Sequence, residues 1–156
     1  EIEGRRVYLA TAEARDEEMS ARIRRHRAER GSEFETIEEP IEVARILGEN
    51  GEAGVVLLDC LTLWITNLLL QSDSPDRVSE RIEELIATVE SVPTPLIVVT
   101  NEVGLGIVPE SALARTFREC TGRAHQRLSA AADEIYLSAL GTMLRLRPEP
   151  LGVVVS

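Results

Sequence analysis

The sequence predicts an α/β fold with a mostly parallel sheet flanked by helices, and three observations support this. Three short apolar runs, Val7 to Leu9, Val55 to Leu58 and Leu96 to Val99, are typical of strands buried on both faces. Segments with apolar residues at helical spacing lie between these runs. The 156 residues, 44% of them hydrophobic, are enough for one domain with a substantial core.

Four helices are expected between and beside these strands. Asp16 is a suitable N-cap for a helix that runs to Arg30. Pro40 opens a second helical stretch that runs to Leu47, residues 61–70 follow the second strand, and residues 78–89 carry apolar side chains at helical spacing. This alternation of strands and helices is the pattern of a parallel sheet.

The C-terminal third predicts a helix followed by antiparallel strands. Residues 109–132 are interpreted as one long helix or as a broken pair with Gly122 as the interruption. The strands that follow are residues 135–140, 143–146 and 153–155. Gly141 permits a tight turn between the first two, so we expect an antiparallel edge at the C-terminal end.

The composition restricts the possible partners. A formal net charge of −10 argues against nucleic acid or an anionic membrane as a partner, because both normally require a basic surface. No apolar run reaches the roughly 18 to 20 residues of a membrane span, and the acidic start is unlike a secretory signal. We therefore expect a cytoplasmic protein with no nucleic-acid partner and no membrane span.

Two cysteines, Cys60 and Cys120, are too few for a disulfide framework and do not form a CxxC pair. Neither a zinc site nor a redox motif is indicated. We expect both to be buried free thiols.

Polar residues follow two of the predicted strands, at the end of the sheet where such folds bind ligands. Thr100, Asn101 and Glu102 end the third strand and precede a glycine-rich loop, which indicates a site. Asp59 ends the strand VVLLD, a position from which a carboxylate can hold Mg²⁺ or its water shell. Asp59 can equally cap the helix that begins at Leu61.

A histidine lies among arginines in the first predicted helix. Met19, Ile23, His26 and Arg30 recur at spacings of four, three and four, so they share one helix face. The neighbouring arginines should disfavour the imidazolium ion, keep the ring nucleophilic and attract phosphate oxygens. These are the needs of phosphoryl or nucleotidyl transfer, although such a histidine can also be an ordinary solvated helix residue.

Four ordered blocks of sequence carry a resemblance to one family. They are YLATAEARDEEMSARIRRHRAER at 8–30, VVLLDCLTLWITNLL at 55–69, TNEVGLGIVP at 100–109 and GRAHQRLSAAADEIYL at 122–137. The chain resembles the bifunctional adenosylcobinamide kinases and adenosylcobinamide-phosphate guanylyltransferases of cobalamin biosynthesis. The resemblance covers most of the chain and implies a phosphate-loop nucleotidase-like fold and a ring-like homotrimer.

The phosphate-binding loop of that family, of the GGxRSGKS type, is not found in this sequence. All seventeen basic residues are arginines, so no phosphate-loop lysine is present. We expect residues 1–156 to be a single nucleotide-binding α/β domain without its first strand and phosphate loop. The alternatives are that an N-terminal segment is omitted here, or that the chain is a non-catalytic homologue or inactive fragment that retains the fold and oligomer surface.

The resemblance implies transfer of GMP from GTP to adenosylcobinamide phosphate, and phosphorylation of adenosylcobinamide by the complete protein. It implies GTP and ATP as substrates and Mg²⁺ as the metal. By the same resemblance, His26 attacks the α-phosphate, releases pyrophosphate and carries GMP as a phosphoramidate. The family often has two adjacent histidines here, whereas this chain has Arg25 and His26.

The resemblance also implies the residues around the nucleotide. They are Thr11, Ala12, Glu13, Arg27, Arg30, Glu38 and Asp59. Glu38 lies in a region like the family's TxExP segment and is suited to accept from the guanine N1 and N2 donors, although an exposed acidic loop is an equal alternative. For Asp59 the resemblance favours a magnesium role near the triphosphate.

The second half of the chain contributes the implied substrate-positioning residues. Asn101 and Glu102 would position the cobinamide hydroxyl or its phosphate, or sense the charge of the nucleotide. Arg123 lies in the family's GR pattern and is the helix arginine best placed to reach a phosphate, with a solvated face as the alternative. His125 stands where the family commonly has asparagine, and we assign it no catalytic role.

Overall fold

Four parallel strands form the main sheet of the computed structural model, which describes residues 2–30, 33–72, 74–149 and 154–155. The strands are β1 (Arg6–Ala10), β2 (Glu35–Glu38), β3 (Val55–Asp59) and β4 (Leu96–Val99), in the order β2-β1-β3-β4. The three apolar runs form β1, β3 and β4, as predicted. The α/β fold with a parallel sheet is therefore confirmed.

Five helices accompany the sheet: α1 (Glu17–Arg30), α2 (Val43–Glu49), α3 (Leu61–Gln71), α4 (Pro75–Ser91) and α5 (Ala112–Ala131). Asp16 caps α1 as predicted, since its Oδ1 accepts the backbone N–H of Met19 at 2.7 Å. The predicted start of α2 at Pro40 is wrong. The carboxylate of Glu39 accepts the N–H groups of Ile41 and Glu42, both at 3.0 Å, and holds these residues in a turn before the helix.

One face of the sheet carries the core. The register aligns Val7 with Val56, and Leu9 with Leu58, so these four side chains share a face. Trp64 of α3 is fully buried, and its indole N–H donates to the carbonyl of Ile41 at 2.8 Å. The other large buried helix side chains in this core include Val43, Leu47, Leu61, Ile65, Ile82, Leu85 and Ile86. Helices α2, α3 and α4 therefore cover the same face.

Helix α1 lies on the other face of the sheet. The chain crosses from β1 to β2 in one direction and from β2 to β3 in the opposite direction. Because parallel crossovers are right-handed, α1 and α2 lie on opposite faces. The expectation that all three apolar strands are buried on both faces is wrong for β4, where Ile97 is 48% exposed and Val99 is 42% exposed.

Strand β2 was not predicted from the sequence. Its four residues read ETIE, without an apolar run, and none of them is fully buried. The strand forms because its backbone pairs with β1, with Glu35 opposite Val7 and Glu38 opposite Ala10. Glu38 therefore ends an exposed edge strand and does not lie in a loop, and its contact with guanine stays a prediction.

Helix α5 runs through Gly122 without a break, so the interpretation as one long helix is confirmed and the interruption at Gly122 is wrong, although the helix begins at Ala112 and not at Pro109. Glycine in a helix interior costs roughly 0.5 to 1 kcal/mol relative to alanine, which the rest of a twenty-residue helix tolerates.

The chain ends in antiparallel strands, as predicted, and these form a second sheet. The strands are β5 (Ile135–Ala139), β6 (Thr142–Arg147) and β7 (Val154–Val155). The turn from β5 to β6 has positive φ at Leu140 and Gly141, 55° and 73°. Val153, the predicted start of the last strand, lies outside the described residues.

Two further expectations concern the whole chain. Cys60 and Cys120 are buried free thiols, as predicted. Within the described part of the chain, no helix combines the length and the apolar character that a membrane crossing needs.

Candidate active site

The carboxyl ends of β1 and β3 meet at the point where the chain reverses its direction across the sheet. From β1 the chain continues to β2 on one side, and from β3 it continues to β4 on the other side. In open α/β sheets such a switch point leaves a crevice outside the strand ends, and ligands bind there. Thr11, Ala12 and Glu13 follow β1, and Asp59 ends β3, so four predicted site residues lie at this crevice.

Buried hydrogen bonds of Thr11 join the two strand ends. Its Oγ1 accepts the N–H of Cys60 at 2.9 Å and donates to the carbonyl of Cys60 at 2.8 Å. Its own N–H donates to the carbonyl of Asp59 at 3.1 Å. The Thr11 hydroxyl is thus fully engaged within the protein, and Ala12 and Glu13 beyond it are half-buried.

Asn67 supports the same crevice and was missed from the sequence. Its Nδ2 donates to the carbonyl of Thr11 at 2.8 Å and to that of Pro40 at 3.2 Å. Its Oδ1 accepts from Arg15 at 3.3 Å, and Arg15 also pairs with Glu13. An amide inside the apolar run LTLWITNLLL was the available signal, because a buried amide must find partners.

Asp59 does not cap α3. The N-cap of that helix is Cys60, and no side-chain capping bond is made there. The Asp59 carboxylate instead accepts a hydrogen bond from the hydroxyl of Tyr8. Tyr8 is paired with Leu57 in the register, so its side chain and that of Asp59 lie on the same face, away from the core. Tyr8 was not singled out from the sequence.

Helix α1 carries His26 on a largely exposed surface. Among its residues with described side chains, only Met19, Ser20 and Ile23 are half-buried, and His26 is exposed. By the crossover argument, α1 lies on the sheet face that also carries Asp59.

One ion pair joins α1 to the end of β2. Arg27 Nη1 lies 3.2 Å from Glu38 Oε1, so the structure brings two predicted nucleotide-binding residues into contact. The side chain of Arg30 lies outside the described residues.

The residues after β4 form a second polar group. Thr100 Oγ1 lies 2.7 Å from His125 Nε2, and His125 Nδ1 lies 3.7 Å from Glu102 Oε2. Asn101 Nδ2 donates to Thr62 Oγ1 at 2.8 Å, which connects this group to the start of α3. His125 therefore contacts residues on the candidate site, which its sequence position alone did not indicate.

His125 is 18% exposed at the side chain. Burial lowers the pKa of its imidazole below the usual value near 6.5, and the nearby Glu102 carboxylate opposes this shift. The neutral ring is thus favoured at neutral pH, where one ring nitrogen can accept from Thr100 and the other can donate toward Glu102.

Arg123 stands apart from the other predicted residues. Its Nη1 donates to Ser79 Oγ at 2.9 Å, and its Nη2 lies 4.0 Å from Glu119. It lines an open cleft between the glycine-rich loop and α5, together with Gly104 and Arg118.

Fold and site together define a doubly wound α/β protein with its candidate ligand site at the carboxyl ends of parallel strands. A family model described as cobinamide kinase / cobinamide phosphate guanyltransferase matches residues 1–146. The chain belongs to this family, which confirms the resemblance.

Curated relatives agree with this assignment. The chain is 41% identical over 145 residues to the bifunctional adenosylcobalamin biosynthesis protein CobP of Pseudomonas aeruginosa, covering 92% of this chain and 83% of the relative. It is 38% identical to the bifunctional adenosylcobalamin biosynthesis protein CobU of Escherichia coli and 36% identical to that of Salmonella typhimurium. Each of these two alignments spans 154 residues and covers 90% of this chain and 85% of the relative.

Proposed function

We propose that this protein transfers GMP from GTP to adenosylcobinamide phosphate through a guanylyl-histidine at His26, and that the complete protein also phosphorylates adenosylcobinamide. The observation that carries the proposal is the contact between Arg27 and Glu38, which ties the helix of His26 to the carboxyl end of the sheet. Family membership and the two activities in the family's description support the same reaction.

The chemistry proceeds in two displacements at one phosphorus atom. A ring nitrogen of His26 attacks the α-phosphorus of GTP, an N–P bond forms, and the bond from that phosphorus to the bridging oxygen breaks. Pyrophosphate leaves with the electron pair, and the ring proton passes to solvent. A phosphate oxygen of adenosylcobinamide phosphate then attacks the same phosphorus, the N–P bond breaks with its electron pair returning to the ring nitrogen, and the ring takes a proton back from solvent, which regenerates the histidine.

Asp59 is the proposed magnesium ligand. Among the described residues there is no group of three or more His, Cys, Asp or Glu side chains suited to a metal ion. A single carboxylate at the switch point nevertheless fits Mg²⁺, which commonly takes its other ligands from water and substrate phosphates. Bound Mg²⁺ would offset the negative charge of the triphosphate, and the hydroxyl of Tyr8 orients the Asp59 carboxylate that receives it.

The remaining predicted residues receive roles consistent with their positions. We propose that Arg27 and Arg30 contact the phosphates, that Glu38 accepts from guanine, and that the backbone of Thr11, Ala12 and Glu13 borders the nucleotide. Asn101 and Glu102 would position the corrinoid substrate.

Broader aspects of the proposal rest on the resemblance. We propose that residues 1–156 act as one nucleotide-binding domain, that the protein assembles as a homotrimer, and that it works in the cytoplasm with GTP and ATP as substrates.

The test is intact mass spectrometry of the protein before and after incubation with Mg²⁺ and GTP. An increment of one GMP residue is expected, and it should be absent in His26→Ala. The chain has one other histidine, so His125→Asn is the matched comparison. An increment that persists in His26→Ala would show that another residue is the nucleophile, and no increment in the unsubstituted protein would favour a non-catalytic homologue or an inactive fragment.

A further inference from the structure

An open cleft of about 570 Å³ lies between the glycine-rich loop and helix α5, and the proposed reaction leaves most of its lining without a role. Its walls include Gly104, Arg115, Arg118, Glu119, Gly122 and Arg123. Three of these are cations and one is an anion, so the cleft carries a local positive charge. In a chain with a net charge of −10, such a reversal of sign indicates an anionic ligand.

Arg118 points to the kind of anion. Its Nη2 donates to the carbonyl of Gly104 at 2.6 Å, which fixes the guanidinium against the loop. Its Nη1 is buried and has no hydrogen-bond partner within the described part of the chain. A buried charged donor without an acceptor is unfavourable, and a guanidinium already held in place is well suited to phosphate oxygens.

Gly122 gives an independent argument. The residue lies inside the continuous helix α5, where alanine would give a more stable helix. A Cβ on Gly122 would meet no atom of the described residues within 4 Å, so packing against this part of the chain does not require glycine there. Its φ is not in the left-handed region, so backbone conformation does not require glycine either. Gly122 lines the cleft, so the absence of a side chain leaves space there for a ligand to approach the helix backbone.

We propose that this cleft binds the phosphate group of a small-molecule substrate. Arg118 is the principal hydrogen-bond donor, and Gly122 leaves space for the ligand at the bottom of the cleft. Arg115 and Arg123 supply further positive charge at its edges. The identity of the phosphate carrier rests on the proposed function: it is either the phosphomonoester of adenosylcobinamide phosphate or the triphosphate of a nucleotide.

The experiment is isothermal titration calorimetry on the full chain carrying His26→Ala, so that no guanylylation occurs during the titration. The probes are adenosylcobinamide phosphate, adenosylcobinamide, GTP and pyrophosphate. Stronger binding of adenosylcobinamide phosphate than of adenosylcobinamide shows that the cleft binds the phosphate of adenosylcobinamide phosphate. Binding of GTP and pyrophosphate with no such difference identifies the nucleotide.

Two cleft variants and one control decide whether the cleft is the site. Arg118→Lys keeps the positive charge but loses the paired N–H donors of the guanidinium, and Gly122→Ala places a methyl group at the bottom of the cleft. Each should raise the dissociation constant about tenfold or more. Arg118→Lys weakens hydrogen bonds to a charged group, which are among the stronger ones, and Gly122→Ala places a methyl group in the space that the ligand needs. Arg127→Ala is the control, because Arg127 lies on the same helix but is paired with Glu83 at 2.7 Å.

Gly122→Ala separates binding from folding. This variant should have a higher melting temperature and weaker phosphate binding, a combination that damage to the fold would not produce. Unchanged affinity in both cleft variants would overturn the proposal. If Gly122→Ala instead leaves affinity unchanged and alters the oligomeric state in sedimentation, the space at Gly122 belongs to contact with a second copy and the proposal is wrong.

The outcome is separable from that of the guanylyl transfer. If His26 is guanylylated but the cleft variants do not change phosphate binding, only the proposal for the cleft is refuted. Phosphate binding that depends on Arg118 and Gly122 would stand even if no GMP adduct formed.

Discussion

The switch point between β1 and β3 and the helix that carries His26 differ sharply in how they are held. At the switch point, Thr11 and Asn67 are buried and fully hydrogen-bonded. Thr11 joins the ends of β1 and β3, and Asn67 holds the backbone of Thr11. Helix α1 is largely exposed, and the ion pair of Arg27 and Glu38, which links it to the end of the sheet, is exposed as well.

This difference matches two separate requirements of nucleotidyl transfer. The groups that position phosphates and metal must be preorganised, because a small displacement is costly in rate. A histidine that attacks the nucleotide and then transfers its guanylyl group to a second substrate must be accessible on both occasions. We therefore expect substitutions of the buried residues Thr11 and Asn67 at the switch point to act mainly on stability, and substitutions on α1 to act mainly on chemistry.

The largest effect on stability is expected at Thr11. Thr11→Val keeps the side-chain shape but leaves the buried N–H and carbonyl of Cys60 without their partner. The free energy of unfolding should fall by about 2 to 4 kcal/mol, since each unsatisfied buried group costs about 1 to 3 kcal/mol. Urea denaturation measures this change, with Thr11→Ser as the control that retains the hydroxyl. Equal losses in the two variants would show that the hydroxyl is not what joins the strands.

Arg27→Ala should give the opposite result. The ion pair with Glu38 is exposed, so the free energy of unfolding should change by no more than about 0.5 kcal/mol. The rate of guanylylation by GTP should fall about tenfold or more, because a hydrogen bond from a guanidinium to phosphate is worth about 1.5 to 3 kcal/mol. Single-turnover mass spectrometry measures the rate.

Arg45→Ala is the matched control for Arg27→Ala. Arg45 lies on α2 and forms an exposed pair with Glu49 at 2.7 Å. Its removal should leave the guanylylation rate unchanged. A similar loss of rate in both arginine variants would mean that general surface charge, rather than the position of Arg27, attracts the nucleotide.

The same contrast explains what could be read from the sequence. Apolar runs identified β1, β3 and β4, and helical spacing identified α3 and α4, because burial imposes a periodic pattern on the chain. The largely exposed α1 was instead indicated by its Asp16 cap. Strand β2 was missed because an edge strand can form through backbone pairing alone, and ETIE carries no apolar signal. The sequence left a break at Gly122 open because a lone glycine resembles a helix break when its neighbours in space are unknown.

The site was predictable in its parts but not in its connections. Asp59 and residues 100–102 were identified because polar residues after buried strands are easily recognised. Tyr8, Asn67 and Thr62 were missed, since each acts on a residue far away in the sequence. The sequence position of His125 indicates no role for the same reason, since its contact with Thr100 spans 25 residues.

The smallest expected effect concerns His125 and is visible only as pH dependence. Because burial holds the imidazole pKa below its usual value near 6.5, the unfolded chain takes up a proton at this residue before the folded protein does. The stability that neutral His125 provides is complete above about pH 6.5 and is lost as the pH falls through that value toward the lower folded pKa. Subtracting the unfolding free energy of His125→Asn from that of the unsubstituted protein cancels the other titrating groups, so the difference should decrease on acidification.

Glu102→Gln removes the charge that favours the imidazolium ion and should make the decrease steeper. A pH-independent difference between the unsubstituted protein and His125→Asn would show that the ring is not held neutral by its burial.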